Sequence, residues 1–365
     1  MSPESVKRVC ILTGGGDAPG LNAVIRAFVR GCMSFGLEVF GSEDGFEGLV
    51  QPGRIVPLDW KSIEGILPRG GSMLGCSNRG NPFAYPTVDS KGNTAYVDAS
   101  EQVIQRLADH QIDVTVMVGG DGTMNHALRL QKKGLKIVGV PKTIDNDLAG
   151  TDVTFGFNTA VQTATMAIDA LHSTAESHDR VMIVELMGRD AGWIALYAGI
   201  AGGADVVLIP EIPYEIGRVE AAIRERATRG ATFAIVVIGE GAKPKGGEVS
   251  TVQAGRTGHL ARLGGAGHRL ALELQDHIPH EIRVTVLGHL LRGGSPSSWD
   301  RVLGTRFGVK AAELCRDAKV GRLVSLDGDV IVDVPLERAV EGGRRVPLDG
   351  EIVSVARRIG VELGG

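Results

Sequence analysis

Short, almost wholly apolar runs recur along the chain, and a longer helical stretch separates most of them. The runs lie at 9–12, 114–118, 137–140, 181–186, 206–209, 233–238 and 282–287. Strands that are covered on both faces have this composition. In one intervening stretch apolar residues follow the amphipathic-helix spacing, at Leu21, Val24, Ile25, Phe28 and Val29. This alternation predicts an α/β protein with mainly parallel, doubly wound sheets, and the number of strands favours two such sheets.

The composition of the 365-residue chain argues against several classes of protein. A net charge of −4 favours neither nucleic acid nor a membrane surface as a partner. The apolar runs are far shorter than the ~20 residues of a membrane span, and the N-terminal residues lack an apolar signal segment. The four cysteines are widely spaced without a C-x-x-C pair, which predicts free thiols in a reducing compartment. We therefore expect a soluble, cytoplasmic protein.

Two polar loops stand at the ends of consecutive predicted strands. The first runs from Gly119 to Thr123 and the second from Pro141 to Asp147. Because the carboxyl ends of parallel strands form the ligand crevice of an open sheet, we expect both loops to line it. The first loop offers backbone amides and the Asp121 carboxylate, and Gly122 leaves space beside them. This set suits a phosphate chain with a bound cation, although an Asp at such a place more often caps the following helix.

The second loop combines the cation Lys142 and the hydroxyl of Thr143 with the carboxylates of Asp145 and Asp147. Two carboxylates at this spacing could be plain turn formers, but the adjacent cation and hydroxyl weigh against that interpretation. One carboxylate can act as general base on a hydroxyl while the other holds a metal ion. Phosphoryl transfer requires little more than this, plus cations that neutralise the developing charge.

Glycine and arginine follow other predicted strands. Gly15 and Gly16 lie between the first strand and the first helix, where bare amides can approach phosphate oxygens. A tight turn that happens to be glycine-rich is an equal interpretation. Arg189 follows the strand 181–186 and is a candidate phosphate clamp. The alternative is a surface arginine in the first turn of a helix, a position that the helix dipole disfavours unless an anion lies nearby.

Three further polar residues suit a sugar phosphate. Glu240 follows the run 233–238 and could accept hydrogen bonds from a polyol, or be an ordinary strand-end carboxylate. His289 and Arg292 lie three residues apart in a loop or first turn, and together they could grip a sugar phosphate. A lone histidine at such a place is more often structural. The chain has no H-E-x-x-H and no G-x-S-x-G segment, so we expect neither zinc catalysis nor an α/β-hydrolase.

The order and spacing of these motifs resemble one family, the 6-phosphofructokinases. The resemblance extends from about residue 8 to residue 306 and includes LTGGGDAPGLNAVIR, GGDGT, PKTIDND, ESHDRVMIVELMGRDAGW, GGAD, IGEGA and RVTVLGHLLRGGSPSSWDR. It is greatest to the bacterial branch whose members use either ATP or pyrophosphate. It implies a phosphofructokinase-like fold and a glycolytic kinase. Such an enzyme transfers the terminal phosphoryl group of ATP to the 1-hydroxyl of D-fructose 6-phosphate and yields fructose 1,6-bisphosphate.

The resemblance also implies two domains and a donor site. Residues 1–156 plus 291–340 would form the phosphoryl-donor domain, and residues 157–290 plus 341–365 the sugar-phosphate domain. The donor site would be lined by Gly15, Gly16, Arg79, Gly80, Asp121, Gly122 and Thr123. Mg²⁺ would be held by Asp121 and Asp147. Asp145 would be the general base, and the other catalytic residues would be Lys142, Thr143 and Arg189.

The implied sugar-phosphate site draws on two subunits. Within one chain its residues would be Thr143, Asp145, Met187, Gly188, Arg189, Glu240, His289 and Arg292. Arg180 and Arg283 would reach into the site of a neighbouring subunit, which implies a homodimer or a homotetramer.

Two positions bear on the identity of the phosphoryl donor. In pyrophosphate-dependent members of the family an Asp usually replaces Gly122, and its carboxylate would repel the α-phosphate of ATP. Lys142 is typical of those members, whereas the short bacterial ATP enzymes usually have Gly there. Because the steric constraint is the harder one, we predict ATP as the donor. The alternative is a pyrophosphate-dependent fructose 6-phosphate 1-phosphotransferase.

The resemblance bears on regulation as well. Four residues stand where the allosteric bacterial enzymes hold a nucleotide effector, namely Arg26, Arg30, Arg54 and Asp205. Other basic residues of that site are replaced, because His172, Ala231 and Phe233 stand at their places. A phosphate site that lacks several cations should lose most of its affinity. We therefore predict a weak response, or none, to ADP and phosphoenolpyruvate.

Two other functional classes share some of these features. NAD and lipid kinases also carry GGDGT, but they lack PKTIDND and the arginines of LGHLLRGG. A catalytically inactive regulatory subunit would be expected to lack Asp145 or the metal carboxylates, and all are present. The segment 323–346 alternates short β-type runs with turn signals, and we expect a small accessory piece there.

Overall fold

The computed structural model describes residues 6–77, 80–88, 90, 92–253 and 262–365. The chain divides into two compact units. Unit 1 comprises Met1–Ile144, Leu148–Asn158 and Arg292–Gly343, and unit 2 comprises Asp145–Asp147, Thr159–Leu291 and Arg344–Gly365. The predicted donor domain includes residues 145–147, which here belong to unit 2. The reason is a contact with the C-terminal part of unit 2, where the backbone N–H of Arg344 donates to the carbonyl of Asp147 at 2.6 Å.

Strands and helices alternate through most of the described residues. The strands are β1 (Arg8–Thr13), β2 (Glu38–Ser42), β3 (Ile55–Leu58), β4 (Tyr85–Val88), β5 (Thr94–Val97), β6 (Val114–Gly119), β7 (Ile137–Thr143), β8 (Phe155–Gly156), β9 (Val181–Leu186), β10 (Val206–Leu208), β11 (Ala234–Gly239), β12 (Thr251–Gln253), β13 (Arg262–Leu263), β14 (Ile282–Val286), β15 (Arg322–Asp327) and β16 (Val330–Pro335). The α-helices are α1 (Leu21–Ser34), α2 (Glu47–Val50), α3 (Ser100–Asp109), α4 (Asp121–Lys132), α5 (Phe157–Ser177), α6 (Trp193–Ala201), α7 (Ile216–Thr228), α8 (Ala266–Leu274), α9 (Ser298–Arg316) and α10 (Glu351–Arg358). Short 3₁₀ helices cover Gly288–Arg292 and Leu336–Val340. The seven predicted apolar runs fall on β1, β6, β7, β9, β10, β11 and β14, and the predicted α/β class is confirmed.

The large sheet of unit 1 has the strand order β16-β15-β7-β6-β1-β2-β3. Its five central strands run parallel. The edge strands β3 and β16 are antiparallel to their neighbours, and β8 pairs with the end of β7. Since β1, β6 and β7 are adjacent and parallel, their carboxyl ends lie side by side at one edge of the sheet. The two loops predicted to line a crevice follow β6 and β7.

Helices α1 and α9 pack together against one face of this sheet. Gly308 of α9 permits a close approach, because a Cβ there would meet the backbone of α1. Phe28 and Phe307 are fully buried in the same cluster, and the ring of Phe155 lies edge-on to Phe307 at 6.3 Å between centroids. Each such side chain contributes about 1.5–3 kcal/mol by burial. This core gives a firm support to the glycine-rich loop that precedes α1.

The sheet of unit 2 is smaller and wholly parallel, in the order β10-β11-β9-β14. Strands β9 and β11 are buried along their whole length, as the unbroken apolar runs predicted. Apolar residues of α7 and α8 pack on the sheet, including Val219, Ile223, Leu270 and Leu274. The order makes the carboxyl ends of β11, β9 and β14 direct neighbours, and it makes β14 an edge strand.

Local structure departs from the sequence-based expectation in three places. Of the predicted loop Gly119–Thr123, Gly119 ends β6 and Asp121–Thr123 begin α4. Pro141–Thr143 belongs to β7 and not to a loop, because Pro141 pairs with Gly119 of β6 while Lys142 and Thr143 pair with β8. The segment 323–346 is not an accessory piece. Its first strand, β15, pairs with β7 inside the large sheet, and β16 closes the edge.

Among the helices of the described ranges, none has both the length and the hydropathy required to cross a bilayer.

Candidate active site

The strand ends of unit 1 are held together by Thr123, in the first turn of α4. Its side chain is 5% exposed and fills the space that a Cβ on Gly14 or on Gly119 would occupy. The backbone N–H of Gly14 donates to the carbonyl of Val118 at 2.8 Å. The loops after β1 and β6 are therefore interlocked, and only glycine fits at both contact points.

Two cationic side chains contact the glycine-rich loop after β1. Lys142, at the end of β7, is only 3% exposed, and its Nζ donates to the carbonyl of Gly16. The guanidinium of Arg292 donates to the carbonyl of Asp17 at 3.1 Å and fills the space beside Gly16. Gly15 has a φ of 72°, which favours glycine there. The structure thus gathers two positive charges at a loop whose amides can also meet an anion.

Asp121 and Gly122 open helix α4 directly after this loop pair. Asp121 is the first residue of the helix, so it does not occupy the capping position, which Gly120 holds. Partial desolvation raises the pKa of Asp121, and a hydrogen bond from Asn125 Nδ2 to its Oδ1, at 3.1 Å, opposes the rise. A Cβ on Gly122 would meet no atom within 4 Å. The helix N-terminus thus presents a carboxylate beside open space.

The remaining predicted donor residues are Gly80 and Arg79. Gly80 is buried against Phe46 and Glu47, with 3.2 Å from an added Cβ to the Glu47 nitrogen. Gly80 therefore packs against the start of helix α2 within unit 1. Arg79 lies outside the described residues.

The donor set suits a magnesium ion that arrives with a phosphate chain. Within the described ranges no group of three or more His, Cys, Asp or Glu side chains forms a metal cage. Mg²⁺ in phosphoryl-transfer enzymes is usually held by one or two carboxylates together with substrate phosphates and water. A carboxylate such as that of Asp121, at a partly desolvated but accessible helix start, fits this mode.

Hydrogen bonds from Arg344 hold the Asp145–Asp147 turn in place within unit 2. Asn146 is 3% exposed and has a φ of 53°, the left-handed conformation that non-glycine residues adopt at a cost. The two carboxylates flank this residue. The carbonyls of Asn146 and Asp147 both accept hydrogen bonds from Arg344, at 3.5 Å and 2.6 Å.

Three predicted sugar-phosphate segments meet at the carboxyl edge of the small sheet. The backbone N–H of Glu240, after β11, donates to the carbonyl of Leu186 at the end of β9, at 2.8 Å. Gly241 donates likewise to Gly188 at 3.2 Å, and Leu287, after β14, donates to Glu185 at 3.1 Å. The backbones that carry Met187, Arg189, Glu240 and His289 are therefore adjacent. Their assigned roles remain predictions.

Local geometry positions the residues of this edge. Gly188 has a φ of 139°, and a Cβ on Gly241 would collide with the carbonyl of Arg189, so both positions favour glycine. The Nε of Arg189 lies 3.7 Å from a carboxylate oxygen of Asp190, and the Arg189 side chain is half-buried. His289 is exposed on the 3₁₀ helix Gly288–Arg292. Arg292, which ends that helix, belongs to unit 1, and its guanidinium contacts the Gly16–Asp17 loop of the same unit.

Arg180 and Arg283 lie at the opposite, amino edge of the small sheet. Arg180 immediately precedes β9, and Arg283 is the second residue of β14. Both guanidinium groups pair with Glu281, and this pairing, led by the hydrogen bond from Arg180, lowers the pKa of Glu281. Six residues of β9 span about 20 Å at ~3.3 Å per residue. Within one chain, then, these arginines are a strand length away from Met187 and Arg189.

A protein-family model described as Phosphofructokinase matches residues 8–315 of the chain. The chain belongs to the phosphofructokinase family. One relative is the ATP-dependent 6-phosphofructokinase 2 of Clostridium perfringens, which is 48% identical over 361 residues, 98% of each protein. The ATP-dependent 6-phosphofructokinase of Chloroflexus aurantiacus is 47% identical over 358 residues, again 98% of each. A solved phosphofructokinase structure, that of Pichia pastoris in the T-state, is similar with a TM-score of 0.77 at 28% identity, over 99% of this chain and 37% of that one.

The structure of this phosphofructokinase also reveals contacts that sequence reasoning missed. Arg344, Trp193 and Glu211 join three separate segments of unit 2. No periodicity or motif marks Arg344 or Glu211, since their partners are far away along the chain. The only signal is that Trp193 is the last residue of the ESHDRVMIVELMGRDAGW segment.

Proposed function

We propose that this chain is a glycolytic kinase that transfers the terminal phosphoryl group of ATP to the 1-hydroxyl of D-fructose 6-phosphate. The observation that carries this conclusion is the near-complete match, at 47–48% identity, to two relatives named ATP-dependent 6-phosphofructokinase. The prediction of ATP over pyrophosphate as donor is confirmed by those relatives. The open space beside Gly122 supports it physically, because an α-phosphate needs room there.

In the proposed mechanism the Asp145 carboxylate accepts the proton of the sugar 1-hydroxyl. The resulting oxygen attacks the γ-phosphorus of ATP, the bond from that phosphorus to the β–γ bridging oxygen breaks, and ADP leaves. Lys142 and Arg189 stabilise the charge on the transferring group, and Thr143 hydrogen-bonds it. The amides of Gly15 and Gly16 hold the phosphate chain.

Mg²⁺ is the expected metal, with Asp121 and Asp147 as its protein ligands. When bound, it would neutralise charge on the phosphate oxygens. Unit 1 would hold the phosphoryl donor and unit 2 the sugar phosphate. A cytoplasmic location is expected for an enzyme of glycolysis.

We further propose that the active enzyme is an oligomer in which each subunit contributes Arg180 and Arg283 to the sugar-phosphate site of a neighbouring subunit. These arginines lie at the edge of the small sheet opposite to Met187 and His289, so one chain offers its sugar-phosphate residues on two edges. A neighbouring copy can bring the two sets together. Glu281, which pairs with both arginines in the single chain, would then be replaced by the sugar phosphate.

Initial rates with saturating MgATP and with Mg-pyrophosphate test the donor. We expect fructose 1,6-bisphosphate to form with ATP at a rate at least about tenfold above the rate with pyrophosphate. A pyrophosphate rate that exceeds the ATP rate tenfold would refute the proposal.

A pair of variants tests why ATP is accepted. Gly122→Asp should abolish ATP use, since a carboxylate beside the α-phosphate adds both bulk and negative charge. Gly122→Asn adds the same bulk without the charge and should retain more ATP activity. Neither side chain meets a protein atom near its Cβ, so both variants should fold. Unchanged ATP kinetics in the Asp variant would refute the argument.

Complementation between two inactive variants tests the shared site. Asp145→Asn and Arg180→Ala homo-oligomers should each be inactive or nearly so. If a site combines Asp145 of one subunit with Arg180 of another, a subunit-exchanged 1:1 mixture should regain about a quarter of wild-type activity, because half of the dimers are mixed and each has one intact site. A mixture that regains no activity, although mass spectrometry shows mixed oligomers, would refute the exchange.

A further inference from the structure

The segment 344–346, here called the C-terminal strap, connects two loops of unit 2 that bear proposed catalytic residues. On one side it contacts the Asp145–Asp147 turn. On the other it contacts the start of helix α6, which directly follows the loop of Arg189. All of these segments belong to unit 2.

The contacts with the acidic turn come from one residue. The backbone N–H of Arg344 donates to the carbonyl of Asp147 at 2.6 Å, and its guanidinium lies 3.5 Å from the carbonyl oxygen of Asn146. Asn146 has the costly left-handed conformation, with a φ of 53°. A conformation of this kind persists only where surrounding contacts hold it. The strap supplies two of those contacts.

Arg344 also makes the contacts with helix α6, through Trp193. The guanidinium of Arg344 lies over the indole of Trp193, at 4.5 Å from the ring centroid, and the indole Nε1 donates to the Arg344 carbonyl at 3.0 Å. Trp193 is only 4% exposed, so the indole is a fixed platform. A cation held over an indole face is attracted by its quadrupole.

Glu211 secures the far end of the strap. Its carboxylate accepts the backbone N–H of Val346 at 2.8 Å and that of Gly192, which precedes α6, at 3.0 Å and 3.1 Å. The strap and the loop of Arg189 are thereby joined to one carboxylate. Charge-assisted hydrogen bonds of this type are the stronger ones in proteins.

We propose that Arg344 is a positioning residue, which fixes the Asp145–Asp147 turn relative to the Trp193 platform and so sets the geometry of the general base. Arg344 itself takes no part in the chemistry. The inference rests on the proposed role of Asp145. It predicts a larger effect on turnover than on the binding of ATP, because the proposed ligands of the phosphate chain belong to unit 1 and only the proposed Mg²⁺ ligand Asp147 lies in the turn.

The principal test is Arg344→Ala, with Arg345→Ala as the matched control. Arg345 is the exposed neighbour with the same charge. We expect kcat to fall about ten- to hundredfold in Arg344→Ala, because small misplacements of catalytic groups have effects of this size. The KM for ATP should change by a smaller factor than kcat, and Arg345→Ala should equal the wild type. Equal kcat values in the two variants would overturn the proposal.

A double-mutant cycle shows whether Arg344 acts through the base. If it does, Arg344→Ala should reduce turnover little further once Asp145 is already Asn. Fully additive losses would overturn the proposal. Trp193→Phe keeps a ring but removes the N–H that holds the strap, so it should lower kcat in the same direction by a smaller factor. Arg344→Lys should recover part of the loss, and these two variants also serve if Arg344→Ala does not fold.

Amide hydrogen exchange separates this inference from the proposed function. Peptides that cover residues 145–147 should exchange faster in Arg344→Ala than in the wild type, whatever the chemistry of the site. Unchanged exchange would overturn the positioning role. If exchange accelerates but Asp145→Asn turns over normally, the assigned base is wrong while the strap still positions the turn.

Discussion

In unit 1 the strand ends that form the candidate site carry mostly glycine, whereas in unit 2 they carry long side chains. The loops after β1 and β6 present backbone amides, interlocked by the buried Thr123. The loops after β9, β11 and β14 present Met187, Arg189, Glu240 and His289. Backbone amides can recognise a phosphate without selecting the group attached to it, whereas side chains can select a sugar. We therefore expect the function of unit 1 to be impaired mainly by substitutions that add atoms at its glycines. The function of unit 2 should be impaired mainly by substitutions that remove polar side-chain groups.

The largest expected effect comes from removing a group in unit 2. Asp145→Asn should lower kcat by ~10²–10⁴-fold, the usual contribution of a general base, with much smaller changes in both KM values. Steady-state assays with both substrates varied would measure this. The exposed Asp276, changed to Asn, serves as the control. Near-normal turnover of Asp145→Asn would remove the assigned base from the mechanism.

The next effect comes from adding atoms in unit 1. Gly119→Ala places a methyl group against the Thr123 side chain and should destabilise the fold by about 1–3 kcal/mol, as overpacking does. It should also raise the KM for ATP about tenfold, through displacement of the loops. Gly217→Ala, in helix α7 of unit 2, places its methyl group in open space and is the control, which should show neither effect. Urea unfolding and ATP titrations measure both quantities. Equal behaviour of the two variants would show that the interlock is unimportant.

Thiol labelling should show a smaller effect, and it tests which ligand binds to unit 1, because all four cysteines belong to that unit. Burial raises the pKa of the Cys10 thiol to about 12, and it also raises the pKa of Cys32 and of Cys315 strongly. The reactive thiolates of these three cysteines are therefore scarce at neutral pH. Cys76 is half-buried; burial raises its pKa, and the charge of Lys142 partly opposes the rise. We expect labelling at Cys76 alone, faster as the pH rises towards that pKa. MgATP should slow the reaction, and fructose 6-phosphate should not. Equal protection by both ligands would contradict the division between units.

The smallest expected effect is that of allosteric ligands. Asp205 of unit 2 is already occupied: it pairs with Arg226 at 2.6 Å and accepts the backbone N–H of Ile235 at 2.9 Å. The guanidinium of Arg226 also lies over Phe233. ADP or phosphoenolpyruvate should change the half-saturating fructose 6-phosphate concentration by less than about twofold. An effector that is coupled to the substrate site changes affinity by ~5–150-fold. A sigmoidal saturation curve that ADP makes hyperbolic would contradict this prediction.

The strands were predictable because each is a continuous apolar run between polar loops, and both parallel sheets follow from that alternation. The extension of β7 through Lys142 and Thr143 was not predictable, because a proline and two polar residues look unlike a strand. Their partner β8 has only two residues, Phe155 and Gly156, too few to leave a pattern.

The motifs of the candidate site were predictable from the sequence, but the contacts that hold these motifs in place were not. Gly-rich and acidic segments at strand ends mark the proposed donor and base regions in the sequence itself. The contact of Arg292 with Asp17, and that of Arg344 with Asp147, join residues far apart along the chain. No local periodicity encodes such contacts, since they arise only when the sheets have assembled.

The pairing of β15 with β7 has a consequence for biogenesis. Strand β7, which ends in Lys142 and Thr143, gains its outer neighbour only when residues near 322 have been synthesised. Helix α9, which backs the glycine-rich loop through α1, also comes late in the chain. The stretch 159–291 of unit 2 is continuous and can assemble as soon as it leaves the ribosome. We therefore expect the small sheet to form first and the large sheet to be completed later, while the Asp145–Asp147 turn becomes fixed only when Arg344 has been synthesised.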